Sequence, residues 1–430
     1  MRYTTIPSQM FTRNREKLIQ KLNPGSVALI FGAYQMPRNG DQYFQYRQNS
    51  DFFYLTGIEQ EHSILMLCNN SGKEELKEVL FLLKPNTKME IWEGHKLTRE
   101  KARNISAIKN IKYIEEFEME LHALLNRCNH IYFNIAEETK FKPEVQSRDM
   151  FFLHSMKNQY PLHTYERLAP ILKELRLIKT IEEITIIGEA CQITAKAFKR
   201  VLKTLRPEMK EYEVEAEIVY EFVKNGASGA AYPTISASGK NACVLHYIEN
   251  DCTCKDGDLI LMDFGAEYAN YAADLSRTIP VNGKFSKRQR EMYEATLRVF
   301  KFAKSLMVPG TTINLFHKEV CNMWEKEHIG LGLYTLEESK SQDTENPLWF
   351  NYFMHGTSHF MGLDVHDSGT RDTELKPGMI ITCEPGLYVA NEGIGIRIEN
   401  DILITEDGNI DLMASVPIEI DEIEELMRRN

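Results

Sequence analysis

Hydrophobic positions fall into two patterns along the chain. In the first part, short apolar runs of strand length alternate with segments rich in Glu and Lys. These runs are Ser26 followed by VALIFGA, Ser63 by ILMLC, Glu78 by VLFLL and His130 by IYFNI. Such alternation predicts an α/β domain. It ends between Leu172 and Leu177, so the domain is assigned to residues 1–174 and a second domain to 175–430. In the second domain, Thr180 with Glu183 three residues later predicts a capping box at the start of a long helix that Pro207 closes. Glu211 to Lys224 predicts another helix, with Val214, Ile218 and Phe222 on one face and a stop at Gly226. A long loop and a strand pair, Leu259 to Val281, follow. Ser286 with Gln289 predicts a further capping box and a helix running to Pro309-Gly310. The next helix runs from about Ile313 to His328, and after a loop comes a strand pair from Met379 to Thr405. The order helix, helix, loop, hairpin thus occurs twice, which predicts two related halves facing each other. The fold class expected is α+β in two domains.

Composition narrows the partners. The 430 residues suffice for two domains and a large core. Fifty-one Lys and Arg against 62 Asp and Glu give a net charge of −11, and no long basic run stands out. Phosphate binding needs clustered cations, so no nucleic-acid partner is expected. Met1 to Leu18 are polar and charged, without the apolar core of a secretory signal, and no stretch is long enough to span a bilayer. The eight cysteines are scattered, with only Cys252 and Cys254 close together, a weak signal for zinc. They read as reduced thiols, and the chain as cytoplasmic with no membrane partner.

The strongest chemical signal lies in the two strand pairs. In LILMDFGAEYANYAADLSRTIP, a turn at Tyr268-Ala269 would set Asp263 and Asp274 directly opposite each other. Opposed residues share a sheet face, with Cβ atoms about 5 Å apart, and two like charges that close repel. In ITCEPGLYVANEGIGIRIENDILIT, Glu384 and Glu399 are symmetric about Asn391-Glu392, with Arg397 on the same strand face as Glu399. Taken singly, each acid reads as a solvated strand residue or a salt-bridge partner. Two facing pairs in two similar hairpins amid apolar residues favour a bound cation instead. His359, between the hairpins in sequence, could add a nitrogen. Four carboxylates and one imidazole suit Mn²⁺, or Co²⁺ or Fe²⁺, better than a thiolate zinc site, and can balance two divalent ions.

At these residues the chain resembles the pita-bread metallopeptidases, a family that includes aminopeptidase P, prolidase and methionine aminopeptidase. The order and spacing of Asp263, Asp274, His359, Glu384 and Glu399 match its five-ligand signature over roughly residues 175–426. YRQNSDFFYLTGI, from Tyr46 to Ile58, resembles the amino-terminal domain of aminopeptidase P. HYIEND, HGTSHFMGLDVHDSG, CEPGLYV and GIGIRIEND are similar to the bacterial members. The resemblance implies a pseudo-twofold catalytic domain holding two divalent metals, Mn²⁺ best matched. It implies removal of the first residue from peptides with proline second, through a metal-bridging hydroxide, with a homo-oligomer, tetramer or dimer, as the assembly. By position, Asp263 would bind one metal, Asp274 and Glu399 would bridge, and His359 and Glu384 would complete the other shell. Glu384 would also take the water's proton.

His246, His355 and His366 match the family's substrate-side histidines. On residues alone, His246 reads as a hydrogen-bonded core residue. His355 and His366 would share a helical face with His359, but Gly356 and Gly362 argue for loop and strand. Arg397 reads as an ion-pair partner of a ligand carboxylate. The resemblance places it in a polar network with Tyr388 and Asp41. Trp92 matches an aromatic that walls a neighbour's site in tetrameric relatives, with packing in its own domain as the plain alternative. Competing readings are prolidase, which cuts only dipeptides, a metal-free binding module, and a creatinase-like hydrolase. The last two usually lack the full ligand set.

Overall fold

Each apolar run of the first part becomes a strand. The computed structural model describes residues 2–428 apart from 70, 71, 73, 136 and 138–145. These residues fall into two compact units, Thr5–Arg176 and Leu177–Asn430, the second also including Met1–Thr4.

In the first unit, six strands form one sheet. Their order is Asn110–Tyr113, Glu78–Leu82, Ile64–Asn69, Ser26–Phe31, His130–Phe133 and Thr164–Arg167. Ser26–Phe31 pairs antiparallel with Ile64–Asn69 and parallel with His130–Phe133. It is buried along its whole length, as expected where a sheet is covered on both faces and the strand is continuously apolar. Val27, Leu29, Met66, Phe81, Leu124 and Phe133 belong to one core. Trp92, on the Thr87–Glu93 helix, is 84% exposed, so packing within its own unit does not account for it.

The second unit carries the repeat. Thr180 caps Ile181–Thr204, with its side chain taking the Glu183 N–H while Glu183 reaches back to Thr180. Its buried face carries Ile187, Ala190, Ala197, Phe198 and Val201, each large apolar side chain contributing about 1.5–3 kcal/mol. Glu211–Lys224 follows, then the first ribbon, Leu259–Phe264 paired with Leu275–Pro280. Ser286 with Gln289 caps Lys287–Leu306, and Ile313–Gly330 is the fourth long helix. The second ribbon pairs Ile380–Cys383 with Asn400–Thr405 and continues as Gly386–Val389 with Ile394–Arg397.

The ribbons depart from expectation in one respect. In the second, Cys383 faces Asn400 and Gly386 faces Arg397, a register that matches Glu384 with Glu399. In the first, Asp263 faces Ser276, not Asp274. The turn is at Ala269-Asn270, one residue later than expected, with φ of 50° and 64° between the paired Tyr268 and Tyr271. Two positive φ values are the geometry of a two-residue hairpin turn whose twist suits the strands. The shift moves the register by two, so Asp263 and Asp274 keep a common face as diagonal rather than direct neighbours.

Gly265 lies where the first ribbon changes sheets. A Cβ there would lie 1.7 Å from the Ala273 carbonyl oxygen, so the position accepts glycine alone without moving the backbone beside Asp274. Gly265→Ala is expected to destabilise the chain by about 2–3 kcal/mol. Urea unfolding measures this, and an unchanged midpoint would contradict the close approach.

Candidate metal centre

The two ribbons bring their acids to one cavity of about 320 Å³. Asp263, Asp274, His359, Glu384 and Glu399 all line it, together with Tyr232, His246, His355, His366 and Arg397. Ligand atoms of Asp274, His359 and Glu399 lie within 4.8 Å of one another. His359 Nε2 is 3.4 Å from Asp274 Oδ2 and 3.9 Å from Glu384 Oε1. His359 arrives there because its segment pairs with the second ribbon. Thr382 N–H donates to the His359 carbonyl at 2.9 Å, Glu384 N–H to Thr357 at 2.9 Å, and Phe360 bridges Ile381. Residues 354–374 form the irregular segment that Gly356 and Gly362 suggested, but the strand expected with it is reduced to an isolated bridge at Phe360.

The ribbons lock together through a small set of polar contacts. Glu399 N–H donates to the Ser276 carbonyl at 3.1 Å, and Ser276 Oγ donates to Glu399 Oε2 at 2.6 Å. Arg277, fully buried, donates to the Glu399 carbonyl at 2.7 Å and to Asn400 Oδ1 at 2.7 Å. Arg397 reaches Asp263 Oδ2 at 2.7 Å, Ser276 Oγ at 2.8 Å and the Tyr388 hydroxyl at 2.7 Å. Tyr388 O–H then donates to His355 Nε2 at 2.8 Å, while His355 Nδ1–H points to the Gly356 carbonyl at 2.8 Å. Both His355 nitrogens are thereby engaged. Asp41, in the first unit, accepts from Gln42 Nε2 at 3.0 Å. His246 and His366 are exposed on the cavity wall, and the His366 ring stands edge-on to His359 at 4.4 Å.

Tyr232 is a site residue that the sequence reading missed. Its hydroxyl lies 2.7 Å from Asp263 Oδ1 and 2.5 Å from Asp274 Oδ1, between the two acids of the first ribbon. It belongs to a loop with no periodic pattern, and only its place before the Ile235–Ser238 strand hinted at this role.

Electrostatics mark the cluster as short of positive charge. Burial pushes Glu399 well above the usual carboxylate range, and Asp274, Glu384 and Asp263 add to the rise. Burial also raises Asp263 despite Arg397, and raises Glu384 to about 7 against the pull of His359 and Arg397. Burial alone would lower His359, but Asp274 and Glu384 outweigh it and raise the imidazole to about 9. Without a cation, protons take its place. The donor set therefore fits a hard divalent ion: buried carboxylate oxygens, plus one imidazole whose Nδ1–H donates to the Phe360 carbonyl at 3.1 Å and leaves Nε2 facing the acids.

A repeated helix–helix–ribbon unit with such a cluster on its inner face is the architecture of a metal-dependent hydrolase. The model of metallopeptidase family M24 matches residues 185–406, and that of the aminopeptidase P N-terminal domain matches 11–132. Xaa-Pro aminopeptidase of Escherichia coli (strain K12) is 40% identical over 98% of each chain, and that of Haemophilus influenzae 37% identical over 98% of each. The structure of aminopeptidase P from E. coli with the inhibitor Pro-Leu superposes with a TM-score of 0.89 at 38% identity, covering 99% of each chain. Proline aminopeptidase P II from Yersinia pestis gives 0.87 at 38% identity, covering 98% of this chain and 99% of the other. The chain belongs to metallopeptidase family M24. Its first unit is the aminopeptidase P type of N-terminal domain, and the whole has the α+β, two-domain pita-bread architecture.

The raised groups give a pH signature. An ordinary glutamate titrates near 4.5 and an ordinary histidine near 6.5, while Glu384 and His359 stand at about 7 and about 9. The folded chain therefore holds more protons than the unfolded one across that window, and metal-free stability falls as pH rises through it. A divalent ion displaces those protons. Thermal melts should show a larger gain from added Mn²⁺ at pH 8 than at pH 5, and an equal or larger gain at pH 5 would contradict the cluster as a cation site.

Proposed function

We propose that the chain is a di-metal Xaa-Pro aminopeptidase, acting on peptides with proline in second position. The observation that carries this is the convergence of two ribbons' acids and His359 on a cavity with an apolar wall, in a chain so similar to Xaa-Pro aminopeptidases along its whole length. Asp263, Asp274, His359, Glu384 and Glu399 would hold two divalent ions, with Mn²⁺ the best match to a mostly carboxylate set. Bound there, the ions supply Lewis acidity and a water of lowered pKa.

The chain's own groups do the rest. Glu384 takes the water's proton and returns it to the leaving proline nitrogen, base first and then acid. Arg397 and Tyr388 orient Asp263 and His355. His355 has both nitrogens committed within the protein, so His246, exposed on the cavity wall, is the better donor to the developing oxyanion. His246 and His366 stand on the substrate side, whereas Tyr388, expected there, is buried behind His355 and outside the cavity lining. Pro233, Ile235, Leu245, Ile248 and Val365 offer an apolar surface to the pyrrolidine ring, which has no N–H and a fixed φ. Trp92, exposed on the first unit, is available to wall the site of a neighbouring copy in a homo-oligomer, dimer or tetramer.

The cytoplasm is the compartment we assign. All eight cysteines are free thiols, and no helix among the described residues is long and apolar enough to cross a membrane.

Two measurements test this reading. Glu384→Gln should keep the thermal midpoint and lower kcat on Xaa-Pro-Xaa peptides by about 10²–10⁴-fold. Wild-type turnover by that variant would remove Glu384 from the role of base. A panel of Xaa-Pro-Xaa tripeptides and Xaa-Pro dipeptides, with and without chelator, should show metal-dependent release of the first residue from the tripeptides. Cleavage of dipeptides alone would make the chain a prolidase.

A further inference from the structure

We infer that Glu211 is a positioning residue that fixes the cavity wall carrying His246, with Tyr247 as the link. The inference deepens the peptidase reading and rests on it for its catalytic consequence.

The wall is built from chain with little support of its own. After the Ile235–Ser238 strand, the backbone makes a 3-10 turn over Gly239–Cys243 and then an arc that returns to Thr253, which bridges Lys210. The arc bends at Val244 and turns at Leu245 and His246, and over the next two residues its side chains alternate between cavity and interior. His246 and Ile248 are exposed and line the cavity, whereas Tyr247 between them turns inward and is only 8% exposed. An irregular segment with two apolar side chains, Val244 and Ile248, more than half exposed does not hold its shape without anchors.

Glu211 supplies those anchors. It is the first residue of the Glu211–Lys224 helix and is fully buried. Its Oε1 accepts from Ser238 N–H at 2.7 Å, Ser238 Oγ at 2.7 Å and Asn241 Nδ2 at 3.1 Å. Its Oε2 accepts from the Tyr247 hydroxyl at 2.7 Å and Cys252 N–H at 2.9 Å. One carboxylate thus ties the start, the middle and the end of the arc. One helical turn on, Glu215 accepts from Asn250 Nδ2 at 3.0 Å, and Asn250 Oδ1 takes the Ser236 N–H at 2.9 Å. Satisfying a buried carboxylate explains why donors surround Glu211. It does not explain why they come from three separated points of the segment that lines the cavity. Tyr247 couples them to function, because whatever holds its ring inward sets where its neighbours His246 and Ile248 stand.

Tyr247→Phe tests the link, since the ring keeps its place among Ile235, Ala242 and Leu261 and loses only the hydroxyl. With the thermal midpoint little changed, amide hydrogen exchange across residues 244–251 should quicken by about tenfold. On an Xaa-Pro-Xaa peptide, kcat/KM should fall by about tenfold, and in a His246→Ala background the same substitution should cause no further fall. Glu211→Gln, which sets an amide donor among donors, should extend the faster exchange to Ser238 and Cys252. Unchanged exchange in both variants would overturn the tether, and an equal activity loss in both backgrounds would overturn its action through His246. Failure of the wild type to cut any such peptide would instead sink the peptidase reading, while the exchange result still decides the tether.

Discussion

Repulsion among four carboxylates on one cavity is the constraint around which the second unit is organised. Asp263, Asp274, Glu384 and Glu399 come from two ribbons far apart in sequence, with the Arg397 guanidinium and the His359 imidazole set directly against them. Left to themselves, such groups would separate or take up protons: burial first, and the neighbouring acids after it, raise Glu399, Asp263 and Glu384 above the usual carboxylate range. What resists it is the lock between the ribbons. Ser276, Arg277 and Arg397 join main chain and side chain across them, and Arg277 is spent wholly on carbonyl and amide oxygens. A site that pays for its geometry in this way is ready for cations before they arrive.

Rigid elements behind the site serve the same end. The first ribbon changes sheets at a glycine that no other residue can replace without moving the chain beside Asp274. The second ribbon continues in one register from Cys383–Asn400 to Gly386–Arg397, so Glu384 and Glu399 sit at the break between its two sheets. Around this frame the walls are looser. The arc bearing His246 has no strand partner between Val244 and Asp251 and is held mainly by the buried Glu211, with Glu215 adding a contact through Asn250. Support thus falls off from the acid cluster to the wall that bears His246.

Much of this was legible in the sequence, and for identifiable reasons. Capping boxes at Thr180 and Ser286 are local, so residue type alone located both helix starts. Short apolar runs carrying isolated acids announced both ribbons. The first ribbon's register was misread by two because its turn uses Ala269 and Asn270 at positive φ, where glycine would have marked it. Tyr232, Ser276 and Glu211 stayed silent because their roles depend on contacts made across 27 or more residues, which no spacing rule encodes. The strand order of the first unit, with one mixed sheet, likewise depends on long-range pairing.

The central claim is that these side chains together hold two divalent ions. Equilibrium dialysis of the purified chain against Mn²⁺, with the metal counted per chain, tests it most directly. The account predicts two ions for the wild type and a loss of binding in Asp274→Asn, whose carboxylate lies between Tyr232 and His359. Retention of no ion by a folded wild type, or two ions still held tightly by Asp274→Asn, would contradict it.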